Sequence, residues 1–193
     1  MSAVVAVPPV KPGDHSAPSA PPAAPAAVEF RYTQTDSFPA LLQQLGASLV
    51  ITTYQANKLL VARVAGAGLS MLVRTFDKPM GLAVDEPRLA LGTLKEVWFL
   101  RNAPDIAPRV EPAGRHDACF VPRLSHVTGD IAVHELAWAV EELWVVNTRF
   151  SCLCTLHADY SFVPRWRPPF VTAFTADDRC HLNGLALVAG RPR

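Results

Sequence analysis

The side chains of this sequence that could do chemistry gather in two short segments, each containing a histidine. His134 and Glu135 are adjacent in one segment, and His181 and Asn183 lie two residues apart in the other. Imidazole, carboxylate and amide oxygen atoms that converge on one point suit a divalent cation or a polar metabolite. Neighbouring residues of a strand face opposite sides, so His134 and Glu135 would not both reach that point. The alternative is structural, with His134 and His181 hydrogen-bonded to neighbouring parts of the fold.

A second candidate site is the aromatic and basic stretch 162–170. Arg165 and Arg167 flank Trp166 there, with Pro168 and Pro169 following. Such a pattern could stack on a sugar or a base, or hold an acidic partner. In the alternative interpretation Trp166 packs inside the fold and the prolines shape a chain crossing.

Established catalytic motifs are absent from the sequence, which has no GxSxG, P-loop, dinucleotide-binding glycine fingerprint or HExxH. Cys152 and Cys154 form C-x-C, which places both thiols on one face of a strand. Zinc sites normally use C-x₂₋₄-C together with two more ligands. The sequence therefore identifies no catalytic residue.

Short β-rich runs separated by turn residues follow one another from Ser48 onward. They are SLVITT, KLLVARV, SMLVRTF, GLAV, RLALGT, EVWFLRN, IAVHELAWAV, ELWVVNT and SCLCTLH. None is long enough at helical period for a βαβ crossover, so an all-β meander is predicted. A short helix precedes it, with Ser37 as N-cap, Pro39 in the first turn and Gly46 just past the end. Three leucines should share one face of that helix: Leu41, Leu42 and Leu45.

The motif x-L-A-apolar occurs three times, starting at Gly81, Glu135 and Gly184. The first two copies continue through an acidic turn into a second strand that ends in Thr. Intervals of about 50 residues with several short strands per unit are typical of propeller blades. We therefore predict a β-propeller-like repeat of short antiparallel blades, and the alternative is a sandwich or barrel in which the similarity is coincidental. In a propeller, one channel rim would carry the residues that precede the three copies: Met80, His134 and Asn183.

Two segments are predicted along the chain. Residues 1–28 contain seven prolines and eight alanines, which predicts a disordered leader, and residues 29–193 form a partial propeller-like domain. The third motif copy lies close to Arg193, while propellers close with four to eight blades. The sequence thus predicts an incomplete propeller, or a truncated gene product, that self-associates through an open blade edge.

Composition excludes several classes of partner. The formal net charge is +1, which provides no electrostatic footprint for nucleic acid or for an anionic membrane. No apolar run reaches the length of a membrane-spanning helix, and the N-terminus does not resemble a secretory signal. A cytoplasmic protein with free thiols is the expectation.

Six segments also resemble a bacterial family of conserved hypothetical proteins with no assigned activity. They are KPMGLAV, LKEVWFLRNAPD, HDACFVPRLSHVTGDIAVHELAW, LWVVNTRFSCLCTL, YSFVPRWRPPF and DRCHLNGLAL. The resemblance runs from about Phe30 to the last residue. It implies a propeller-like domain and assigns no catalytic residues.

Two functional hypotheses follow. In the first, the chain is a binding or scaffold module whose channel rim binds a small molecule or a protein partner. In the second, it is a metal-dependent hydrolase or lyase with a divalent cation at the propeller axis, held by His134, Glu135, His181 and Asn183. The sequence leaves open whether the protein is an enzyme.

Overall fold

A computed structural model describes residues 30–193 of the chain. The predicted leader, residues 1–28, lies outside the described residues. The chain divides into two units, Met1–Gln34 and Thr35–Arg193, and all of the helices and strands below belong to the second.

The short helix α1 (Phe38–Leu45) is present as predicted. Pro39 lies in its first turn, and Gly46 ends it in the left-handed conformation at φ 58°, which glycine adopts without steric cost. Two details differ from the prediction. Ser37 precedes the helix but makes no side-chain capping bond. The leucines do not share a buried face, because Leu42 is buried while Leu41 and Leu45 are exposed.

The strands form successive antiparallel meanders, which confirms the all-β prediction. Each sheet is built from strands that are consecutive in the chain. The first sheet contains β1 (Leu49–Thr53), β2 (Lys58–Ala65) and β3 (Gly68–Thr75). The second contains β4 (Leu82–Asp85), β5 (Arg88–Gly92), β6 (Glu96–Asn102) and β7 (Phe120–Val127). The third contains β8 (Val133–Ala139), β9 (Glu142–Asn147), β10 (Cys152–His157) and β11 (Tyr160–Trp166).

The first two copies of the repeated motif occupy equivalent strands. Gly81 immediately precedes β4 and Glu135 lies in β8, and each of these strands is the first of a four-stranded sheet. The third copy differs from the prediction, because Gly184 and the two residues after it are not in a strand. A two-residue pair follows them, β12 (Leu187–Val188) and β13 (Arg191–Pro192). Within residues 30–193 the strands form four sheets and no closed barrel.

The last strand of each four-stranded sheet, β7 or β11, was not predicted. Each strand contains a proline, Pro122 in β7 and Pro164 in β11. The side chains of both strands are exposed or half-buried. Proline removes a ladder donor and is tolerated mainly on edge strands, which is the position that both strands hold. His126 lies in β7.

The core lies on both faces of the second sheet. Ala90 of β5 packs in one buried cluster with Val133, Leu136 and Val145 of the third sheet. Its neighbours Leu89 and Leu91 face the other way and pack with Leu59 of the first sheet. This alternation follows from the period of two along a strand. The three sheets therefore stack face to face in chain order.

The first strand of the third sheet lies directly against the second sheet. β8 contacts β4 and β5, and Gly81 N donates to the carbonyl of Val133 at 3.1 Å. The approach is close because two glycines face Val133: a Cβ added at Gly92 would lie 2.4 Å from Val133 Cγ1, and one at Gly81 would lie 3.1 Å from it. This glycine-lined contact fixes where β8 begins.

Helices in the described part of the chain are short. None of them is long and apolar enough to cross a membrane.

Candidate functional site

A cleft of about 490 Å³ opens at the end of the sheets where β4 and β8 begin. The turns β1–β2, β5–β6 and β9–β10 reach the same end, since strands of a meander alternate in direction. Three sheets and the segment after β11 thus contribute to its wall. The lining residues are Tyr54, Lys78, Met80, Thr93, Leu94, Asp130, Ala132, Val133, His134, Arg149 and His181.

Lys78 reaches the cleft from the segment before β4. Its backbone is left-handed at φ 45°, and its N–H donates to Asn57 Oδ1 at 2.9 Å. Its Nζ lies 5.5 Å from the ring centroid of Tyr54. Lys78 makes no ion pair with another residue of the described part of the chain. Its positive charge is therefore not neutralised by a carboxylate within residues 30–193.

Two histidines meet in the cleft. The rings of His134 and His181 lie 4.8 Å apart between centroids, edge to face at 85°. His134 Nδ1 donates to Asn183 Oδ1 at 2.5 Å, and His181 Nδ1 donates to Asp178 Oδ2 at 2.6 Å. Because both partners are oxygen acceptors, each neutral ring carries its proton on Nδ1 and has its lone pair on Nε2.

The segment that carries His181 is held by hydrogen bonds to the β9–β10 turn. Asp178 N donates to the carbonyl of Arg149 at 3.0 Å, and Thr148 Oγ1 donates to the carbonyl of Leu182 at 2.5 Å. These bonds bracket His181 on both sides. The β9–β10 turn thereby positions His181, which lies about thirty residues further along the chain.

An ion pair forms another part of the wall. Arg149 Nη2 lies 2.5 Å from Asp130 Oδ2, and both side chains are partly exposed. Arg149 Nε is buried and has no hydrogen-bond partner among the described residues. Asp130 neutralises the charge of Arg149, so the uncompensated cation of the cleft is Lys78.

Left-handed backbone conformations of non-glycine residues are concentrated around this cleft. Lys78, Ala132 and His181 line it, and Asp178 bonds to His181; their φ values are 45°, 51°, 43° and 48°. Such conformations are costly for residues with a Cβ and persist where the surrounding contacts over-determine them. Strain of this kind clusters at functional sites, which supports assigning the site here.

Three of the four residues predicted for the cation site come together. His134 and His181 line the cleft, and Asn183 holds His134. Glu135 does not line the cleft, and its Oε2 accepts the backbone N–H of Leu185 at 2.8 Å. Residues 30–193 contain no group of three or more His, Cys, Asp or Glu side chains arranged to hold a metal ion.

The aromatic and basic stretch lies at the outer edge of the third sheet, away from the cleft-lining residues. Arg165 Nη1 pairs with Glu142 Oε1 at 2.6 Å, and its guanidinium lies over the ring of Trp144. Arg167 lies 4.6 Å over the ring of Phe174, and Trp166 is half exposed. Arg165 and Arg167 are thus partnered on the surface of their own unit.

Tyr54, Thr93 and Arg149 of the cleft were not among the predicted site residues. The repeat contained a signal for two of them: the aligned second strands end in Thr93 and Thr148, and Arg149 directly follows the latter. Extending the alignment by one residue would have placed Arg149 at the rim. Tyr54 has no comparable signal.

The sequence model of one protein family matches residues 36–193, and its description is Domain of unknown function (DUF4915). No curated protein matches the chain.

Proposed function

We propose a function from the cleft itself, because the chain belongs to the DUF4915 family, whose domain has no assigned function. The protein is a propeller-type binding module, and its cleft takes a small metabolite with a carboxylate or another anionic group. One observation carries this proposal. The cleft unites an unpaired cation, two oriented imidazoles and an ion pair from segments far apart in sequence, all at one end of the sheets.

The propeller architecture is supported by the arrangement of the sheets. Successive four-stranded meanders are the unit from which propellers are built, and each unit is one blade. The first strands β4 and β8 are adjacent, and the sheets stack face to face in chain order. In a propeller these strands would line the central channel, and the cleft would lie at one of its mouths.

An anionic ligand is supported by the charges of the wall. The Asp130 carboxylate is paired with Arg149, which leaves Lys78 as the group that gains most from a negative partner. A hydrogen bond to a charged group contributes about 1.5–3 kcal/mol. Tyr54 and the Nε2 atoms of the two imidazoles are available for the polar groups of the same ligand.

A small molecule is favoured over a protein partner at this rim because the surface is concave. A volume of about 490 Å³ lies within the range of about 300–1,000 Å³ that small-molecule sites have. The metal-dependent hydrolase or lyase has less support, since the Glu135 carboxylate is bonded to Leu185 N and residues 30–193 contain no group of three or more His, Cys, Asp or Glu side chains arranged to hold a metal ion.

The proposal is tested by calorimetric titration of the full chain with a panel of small dicarboxylates, adipate among them, and with inorganic phosphate. Lys78→Ala should weaken binding of the best anion by about tenfold or more, from the loss of one charge-assisted bond. Arg165→Ala is the matched control, because it also removes a cation but lies outside the cleft. Equal affinities for wild type and Lys78→Ala, or equal losses in both variants, would contradict the proposal.

A further inference from the structure

We propose that the cleft is also catalytic, and that His181 acts as the general base in the hydrolysis of a small ester that carries a carboxylate. This inference rests on the proposed binding of an anionic ligand in the same cleft. It adds a reaction to that binding, with water as the nucleophile.

The orientation of His181 is the first support. A carboxylate that accepts from Nδ1 fixes the ring tautomer, leaves Nε2 free to take a proton, and stabilises the imidazolium that results. Asp178 Oδ2 lies 2.6 Å from His181 Nδ1, as this role requires. Asp178 is thus the positioning residue of a carboxylate–imidazole pair.

The rigidity of the segment is the second support. His181 and Asp178 both have left-handed backbones, and hydrogen bonds to the β9–β10 turn hold the segment at either side of the histidine. A general base must be held in one geometry relative to the reacting atoms.

The second imidazole provides a further acceptor. Asn183 Oδ1 fixes His134 in the same tautomer, so both rings have a lone pair on Nε2. A neutral imidazole with its lone pair on Nε2 can accept a hydrogen bond from a water molecule. His134 therefore serves to orient the water that His181 deprotonates.

Water is the nucleophile because the wall offers no serine or cysteine. Among the cleft-lining residues of the described part of the chain, Thr93 alone has an aliphatic hydroxyl group. Its Oγ1 donates to the carbonyl of Glu96 at 2.9 Å. Lys78 is assigned to the carboxylate of the substrate. The remaining polar groups orient the substrate and the water.

The reaction balances without a further reactant. The water oxygen attacks the ester carbonyl carbon as one of its protons passes to His181 Nε2, and the carbonyl π electrons move to oxygen. As the tetrahedral intermediate collapses, the bond from carbon to the leaving oxygen breaks, and the imidazolium returns the proton to that oxygen. The products are a carboxylic acid and an alcohol or phenol.

The experiment measures release of 4-nitrophenol from mono-4-nitrophenyl adipate by the full chain, beside neutral 4-nitrophenyl acetate. His181→Gln should lower kcat by about 100-fold or more while KM changes little. His157→Gln is the matched control, because His157 also lies beside an aspartate, Asp159, but is outside the cleft. It should hydrolyse the adipate ester as the wild type does.

Asp178→Ala gives a readout that a purely structural role would not produce. It should lower kcat and change the ¹⁵N chemical shifts of the His181 ring away from the Nδ1-protonated tautomer, with adipate affinity retained. Unchanged shifts and kcat would overturn the role of Asp178.

Binding separates this inference from the one on which it rests. Hydrolysis by the wild type at the same rate as by His181→Gln, with adipate still bound in calorimetry, would overturn the catalytic proposal and leave the binding module intact. Absence of both hydrolysis and anion binding would overturn the two together.

Discussion

The contact between Gly92 and Val133 determines where the third sheet meets the second, and Gly92→Ala tests it directly. Val133 is 2% exposed, and it immediately precedes His134 in β8. An added Cβ at Gly92 would lie 2.4 Å from Val133 Cγ1 and 2.8 Å from Val133 Cβ. Gly92 also accepts from Met80 N and donates to Gly81 O, so its backbone has little freedom to retreat.

The expected magnitude follows from the overlap. Carbon atoms pack best at about 3.5–4.0 Å, so the new methyl group forces a local displacement of about 1 Å. Overpacking of a buried site costs about 1–3 kcal/mol. For a chain of this size each kcal/mol lowers Tm by about 2–4 °C, so the variant should melt about 4–8 °C lower for a loss of about 2 kcal/mol. The displacement of β8 should also weaken anion binding, because it moves His134.

Thermal and urea unfolding of the full chain, followed by tryptophan fluorescence, measure the effect. Gly68→Ala is the matched control, since an added Cβ there meets nothing within 4 Å. The double variant Gly92→Ala/Val133→Ala should lose less stability than the sum of the single variants, because removal of Cγ1 relieves the closer contact. A Tm for Gly92→Ala equal to that of Gly68→Ala, or strict additivity in the double variant, would refute the reasoning.

Three further predictions concern other parts of the molecule. Arg88→Ala should destabilise the protein by about 1–3 kcal/mol and change the tryptophan emission, because Arg88 pairs with Asp85 and Glu141 and lies 3.8 Å over the ring of Trp138. The stability of Arg88→Lys should lie between those of the wild type and Arg88→Ala. A urea midpoint of Arg88→Ala equal to that of the wild type would contradict this prediction. Cys119 and Cys180 should react with a thiol reagent in the native state, while Cys152 and Cys154 should react only on unfolding because both are fully buried. The hydrogen bond with Cys152, together with burial, also raises the pKa of the Cys154 thiol. Reaction of all four thiols at one rate would contradict this prediction. Glu135→Gln should lower Tm without weakening anion binding, since the Glu135 carboxylate bonds to Leu185 N. Added Ca²⁺, Mn²⁺ or Zn²⁺ should leave the wild-type Tm unchanged. A rise in Tm on addition of one of these cations that is lost in Glu135→Gln would favour the cation site instead.

Much of the fold was predictable from local sequence. The strands β5 and β6 begin and end within a residue or so of the β-rich runs, and the helix ends at Gly46, because alternation and turn chemistry act over a few neighbouring residues. The repeat that starts at Gly81 and Glu135 also identified equivalent first strands. The edge strands β7 and β11 were missed, because proline lowers the local signal and only their position at a sheet edge makes them tolerable.

The site was predictable only in part, and the physical reason is the range of its contacts. The repeat pointed to Met80, His134 and Asn183, and the first two of these line the cleft. Strand alternation predicted that His134 and Glu135 would face opposite sides, but a register shift interrupts β8 between Val133 and Leu136, and both side chains bond to the segment 183–185. The sequence by itself determined which residues stand at the start of each repeat. Only the tertiary structure decided that Asp178 orients His181 and that Arg149 pairs with Asp130, since those contacts depend on the stacking of whole sheets and on backbone bonds between distant segments.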